Sequence, residues 1–184
     1  MIAMGLQEHH AARFIRAQLI GASQASSSNQ ASGVSQASIA HRRIVVLGLD
    51  DGQKRQAWQR APGQEICRCL LQEGARLVLL DRPRNRIAMG GLLASEAAPQ
   101  GLPGRFELES DIASAFRLAD AALLLPGWKQ DHAMTWRALA ASMHDPGWVF
   151  DTRSDGDLSR PAACGLETWQ LSLGEQGLGI DPGA

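Results

Sequence analysis

The apolar positions of this chain come in short runs broken by polar, glycine-rich stretches. RIVVLG (Arg43–Gly48) is a β-branched run closed by glycine, which predicts a buried strand. Ile66, Leu70 and Glu73 follow at i, i+4 and i+7. Cys67 and Leu71 widen the apolar face of that helix, expected from about Gln64 to Glu73. Gly74 stands where a left-handed C-cap residue belongs. ARLVLLD (Ala75–Asp81) is a second strand. Strand, helix and strand over about forty residues form a βαβ unit with a parallel pair. Arg82–Arg105 is rich in Gly, Pro and Ala and long for a loop, with Ile87–Ala97 as a helical candidate.

Downstream, FELE (Phe106–Glu109) fits an edge strand. Asp111–Ala119 fits a short helix capped by Ser110 or Asp111. AALLL (Ala121–Leu125) is a fully apolar strand halted by Pro126 and Gly127. A helix over about Met134–Met143 would bury Trp136, Leu139 and Met143. Asp145-Pro-Gly turns the chain, and Trp148–Asp151 and Glu167–Gly174 are the closing strands. Five or six strands alternating with helices predict an α/β domain: a Rossmann-like, doubly wound, mostly parallel sheet.

Before this pattern lies a different one. Residues 22–40 carry seven serines and no charge, and read as a flexible linker. A helix over Glu8–Ile20, with Ala12, Phe14, Ile15 and Leu19 as its apolar face, precedes it. Glu8 is the one acid among the first forty residues, which also hold Arg13 and Arg16. That composition fits either a targeting segment or a helix that docks on the domain or on a partner. The expected organisation is 1–40 helix and linker, 41–174 α/β domain, and 175–184 tail.

Of the 184 residues, 45% are hydrophobic and 20% charged, with a net charge of -1. Near-neutrality argues against a nucleic-acid partner. No run approaches the ~18 apolar residues of a membrane span, so no membrane partner is expected. Three cysteines are too few for a disulfide scaffold, which makes a reduced, cytoplasmic protein the expectation.

In open α/β sheets, ligands lie beyond the carboxyl ends of the strands. The polar residues there are Asp50, Asp51, Asp81, Arg82, Trp128, Lys129, Asp131, Asp151 and Arg153. Arg153 is either a phosphate-gripping guanidinium or an ordinary arginine paired with Asp155 or Asp157. RPRNR (Arg82–Arg86) either binds phosphate or is a solvated loop. GLDDGQKRQ after the first strand contains neither GxxxxGK[ST] nor GxGxxG, so no dinucleotide fingerprint is present. Lys54 and Arg55 could offset the acids of that loop toward a phosphate, or be solvated cations. Trp128 is the one tryptophan in a ligand-facing loop. The histidines form no metal set, and no nucleophile motif appears.

Taken in order, RIVVLGL, Ala61-Pro62 and EICRCLLQEGARLVLLD, then ADAALLLPGW (Ala119–Trp128), VFDTRS (Val149–Ser154) and GLETWQLSLG (Gly165–Gly174), resemble a known domain. It is the C-terminal domain of the UDP-glucose/GDP-mannose dehydrogenase family, and the resemblance covers about residues 41–174. It implies a nucleotide-sugar-binding fold. It also implies an NAD-dependent oxidation of the sugar's 6-hydroxyl carried by other domains, which bind NAD and supply a catalytic cysteine. No GGxCxPKD-like stretch occurs in this chain, so no catalytic residue and no cofactor are expected within it.

The family's GxxFKxxTxDxRxSP loop aligns between Gly48 and Pro62 without a gap. Its Lys falls on Gly52, its Thr on Arg55, its Asp on Ala57 or Gln56, and its Arg on Gln59. The Arg of its FDGRN segment matches Arg153. Loss of the lysine–phosphate contact removes roughly 1.5–3 kcal/mol, so affinity for a nucleotide sugar should be weaker than in intact relatives, or absent. Arg153, Lys54, Arg55 and Trp128 are the expected substrate contacts.

Three functions follow from this. The chain is expected to be a degenerate nucleotide-sugar-binding or accessory module, which takes a UDP- or GDP-sugar or sits against a dehydrogenase partner chain or a second copy of itself. Alternatively it is a subunit of a split NAD-dependent dehydrogenase beside a partner chain. Or it is an interaction protein that kept the fold and lost the ligand.

Overall fold

In the computed structural model, the residues described are 11–21, 38–49, 62–80, 82–83, 86–87, 104–130 and 134–171. A helix, α1, is described over residues 11–21. Then come β1 (Arg43–Leu47), α2 (Pro62–Gln72), β2 (Arg76–Leu80), β3 (Arg105–Glu109) and α3 (Ile112–Phe116). β4 (Ala121–Leu124), α4 (Trp136–Ser142), β5 (Trp148–Asp151), α5 (Ser159–Ala162) and β6 (Glu167–Gln170) complete the order. The strands form one six-stranded sheet in the order β3-β2-β1-β4-β5-β6. Every pairing is parallel. The doubly wound α/β fold expected from the sequence is therefore present, with β1 and β4 flanking the point where strand order reverses.

The four inner strands are buried on both faces, which is why they read as unbroken apolar runs rather than alternations. Ile44, Val46, Leu77, Leu79, Leu123 and Phe150 point into one core, where they meet Ile66 and Leu70 of α2. Val45, Leu47, Val78, Leu80, Leu124 and Val149 point into the other, against Phe116 of α3 and Trp136 and Leu139 of α4. The edge strand β3 alternates charge and apolar side chains, with Arg105, Glu107 and Glu109 on one face. Such charges guard an open edge.

Local signals explain the helix boundaries. α2 ends as expected: Gly74 takes a φ of 90°, and the Ala75 N–H donates to the Leu70 carbonyl at 3.1 Å. Asp111 caps α3 by accepting from the Ser114 N–H at 2.9 Å. α5, absent from the sequence reading, follows an Asp157–Ser159 contact, in which the Ser159 N–H donates to the Asp157 carboxylate at 2.9 Å.

α1 docks on the sheet, the second of the two fates its composition allows. Ala11, Ala12, Ile15 and Leu19 are buried in the α2-side core. The Phe14 ring meets Trp169 edge-on at 5.1 Å, and Arg16 pairs with Glu73 at 2.9 Å. Ile39, in the stretch read as linker, is fully buried with them. Residues 22–37 and 175–184 lie outside the described residues, as does most of Ile87–Ala97.

Candidate functional site

The reversal of strand order opens a crevice at the carboxyl ends of β1, β2 and β4. A cavity of about 470 Å³ occupies it, lined by Gly48, Leu80, Arg82, Trp128, Lys129 and Gln130 among others. That volume suits a small molecule. Its floor depends on Gly48. The chain leaves β1 there with a φ of 82°, and a Cβ would stand 2.1 Å from the Trp128 backbone nitrogen. No other residue type permits the β1 turn and the β4 loop to touch.

Two cations border the cavity, Arg82 after β2 and Lys129 after β4. Both side chains are exposed. Neither has a carboxylate partner among the described residues. Trp128 is 9% exposed, and its indole Nε1 is buried without an acceptor. Buried indole N–H groups ordinarily find a partner, and this one has none among the described residues.

Arg153 stands behind that wall rather than in it. Its side chain is 5% exposed, and its Nε and Nη2 donate to the two oxygens of the fully buried Asp151 at 2.9 and 2.6 Å. The Arg153 backbone N–H donates to the same carboxylate at 2.8 Å. Nη1 reaches the Trp128 carbonyl at 3.5 Å. The partner is thus neither Asp155 nor Asp157, the two acids considered from the sequence. Asp151 and Arg153 lie at i and i+2 where β5 ends, a spacing that puts two side chains on the same side of an extended chain. That was the available signal. Gly156 closes over the pair, since a Cβ there would come within 1.9 Å of Asp151 Oδ2. Gln170 of β6 donates to the Arg153 carbonyl.

Of the four expected substrate contacts, Trp128 lines the cavity, and Arg153 touches its backbone from behind. Lys54 and Arg55 lie outside the described residues, as do Asp50, Asp51, Asp81 and Asp131. Cys67 and Cys69 are buried, and burial pushes the Cys67 thiol up, with Cys69 beside it adding to the effect. That environment makes an inert thiol. No group of His, Cys, Asp and Glu able to hold a metal occurs among the described residues. No described helix is long and apolar enough to cross a membrane.

No family model matches the chain. Over 145 residues it is 23% identical to UDP-glucose 6-dehydrogenase of Drosophila melanogaster, a match that covers 77% of this chain and 30% of that protein. The chain thus spans about a third of the length of this distant relative.

Proposed function

We propose that this chain is a nucleotide-sugar-binding module whose ligand sits in the cavity between β1 and β4. The observation that carries the reading is a pair of exposed cations, Arg82 and Lys129, without a carboxylate partner among the described residues and placed on either side of a strand-order reversal. A diphosphate needs two or more such donors, and charge-assisted hydrogen bonds to it are the strong ones. The apolar wall of Val46, Leu47, Leu80 and Trp128 suits a base or sugar ring. Lys54 and Arg55, expected from the sequence as substrate contacts, are proposed as further cations for the phosphates. The distant likeness to UDP-glucose 6-dehydrogenase supports a UDP-sugar over other nucleotides.

In this reading Arg153 acts through position. Its charge is neutralised by Asp151, and it holds the Trp128 backbone at the cavity rim. NAD is assigned to other domains or to a partner chain. A dinucleotide pyrophosphate needs a glycine run after β1, and the chain offers Gly48 and Gly52 alone there.

The test is a thermal melt of the full chain with UDP-glucose, GDP-mannose and NAD. A ligand at about ten times its Kd should stabilise the fold by roughly 1.4 kcal/mol. UDP-glucose should raise the melting temperature, and Lys129→Ala, an exposed change, should weaken that response about tenfold or more. No response to any nucleotide sugar would overturn the reading.

A further inference from the structure

A second cavity, of about 440 Å³, lies at the opposite end of the sheet, where β1 and β2 begin. It is lined by His41, Arg43, Arg76, Glu109, Ser114, Arg117, Leu118, Asp120 and His144, and so shares no residue with the first. These side chains are far apart in the sequence, from His41 to His144. The fold gathers them because the amino ends of β1 and β2, the C-terminus of α3 and the turn before β5 meet on one side of the sheet.

Three features distinguish this cleft from an ordinary solvated surface. The first is its charge. Arg43, Arg76 and Arg117 face two acids, Glu109 and Asp120, and the acids are already engaged. Asp120 accepts from Arg42 at 2.5 Å and from the Arg43 N–H at 2.8 Å, and lies 3.3 Å from His144 Nδ1. Glu109 holds Arg43 at 3.0 Å. Arg76 has a long contact of 3.9 Å to Glu107, and Arg117 has no carboxylate partner among the described residues.

The second is an orphaned donor. Arg43 Nε is buried and has no acceptor among the described residues, although both other nitrogens of that guanidinium are paired. The third is backbone strain. His41 at φ 71° and Leu118 at φ 55° are the non-glycine residues with positive φ among those described, and both line this cleft. Residues held in that region are costly, and they cluster at ligand clamps.

We propose that this cleft is a second binding site, for a small anion carrying two or more negative charges, of the phosphate or pyrophosphate class. The guanidiniums of Arg117 and Arg76 grip its oxygens, and His41 and Ser114 border it. The acids already present, held by Arg42, Arg43 and His144, keep the net charge modest, so a compact multivalent anion is favoured over an extended polyanion such as a nucleic acid. The site stands independently of the nucleotide-sugar reading, because the two cavities lie at opposite ends of the strands.

The experiment is an amide chemical-shift titration of the full chain with inorganic pyrophosphate, inorganic phosphate and citrate, each against sodium chloride at matched ionic strength. Pyrophosphate should give saturable shifts at residues 41–43 and 114–120, and Arg117→Ala should weaken them about tenfold or more. Arg117 is exposed, so the variant should fold; Arg117→Lys should restore part of the affinity. A saturable response to citrate alone would replace phosphate chemistry with carboxylate chemistry and overturn the proposal as stated. So would shifts confined to Arg82 and residues 127–130, an unchanged response in Arg117→Ala, or a response that sodium chloride reproduces.

Discussion

Arg153, an expected substrate contact that matches a motif, shares a desolvated pocket with Asp151. Removing one partner of a buried ion pair leaves the other charge without compensation, at about 3–5 kcal/mol. Arg153→Ala is therefore expected to lower the free energy of unfolding, measured by urea titration, by that amount. Arg153→Met combined with Asp151→Asn should recover much of the loss, since a paired charge and a well-packed neutral substitute are often close in stability. A single-variant cost below about 1 kcal/mol would mean the guanidinium is solvated and available. Thiol chemistry gives a second test at this scale. Cys67 is buried beside Cys69 and its thiol is pushed up, whereas Cys164 is partly exposed. A disulfide reagent at neutral pH should modify Cys164 rapidly and reach the other two thiols only on unfolding, because the thiolate is the reactive form.

At the scale of elements, the helices are held by caps and by burial in differing proportion, and the two respond to different perturbations. Asp111 at the start of α3 is held below its ordinary 3.8, first by the hydrogen bond from the Ser114 backbone N–H and then by that from the Ser114 hydroxyl. Asp157 is likewise lowered by Ser159. A carboxylate depressed in the folded state adds stability above its unfolded value, and that stability is lost as pH falls through the folded value. Asp111→Asn should thus destabilise the fold at neutral pH and lose that difference as pH falls through the depressed folded value of Asp111. Urea midpoints measured across the acid range check this; a difference that persists undiminished in acid would show that the charge plays no part.

The inner strands were legible in the sequence because burial on both faces leaves a local record, a short apolar run with turn residues beside it. Trp148–Asp151 was bounded to the residue for that reason. α5 was not legible: four residues containing a proline carry no periodicity, and the Asp157–Ser159 contact that starts it looks like any loop pair. The first cavity was half legible. Rules about strand ends placed Arg82, Trp128 and Lys129, but the burial of Arg153 depends on Gly156 and Gln170, which come from later segments. The second cavity was not legible, because its residues are gathered by chain crossings and share no motif.

For the whole molecule, the sheet is the shared wall of two cores, and α1 contributes to one of them although residues 22–37 separate it from β1. If α1 is part of the cooperative unit, a change in it must be felt on the far side of the sheet. Ile15 is fully buried in the α2-side core. Ile15→Ala should cost about 2–5 kcal/mol, the range for such a truncation in a packed core. For a chain of this size each kcal/mol lowers the melting temperature by roughly 2–4 °C. Trp148 and Trp169 report from the α1 side, and Trp128 and Trp136 from the other. Tryptophan fluorescence and far-ultraviolet circular dichroism should therefore show one transition in the parent chain, displaced by the same amount in the variant. A variant in which the Trp169 signal moved while helix and sheet content melted at the parent temperature would make α1 a separable layer. The folding unit would then begin near Ile39, with α2 still covering that face of the sheet.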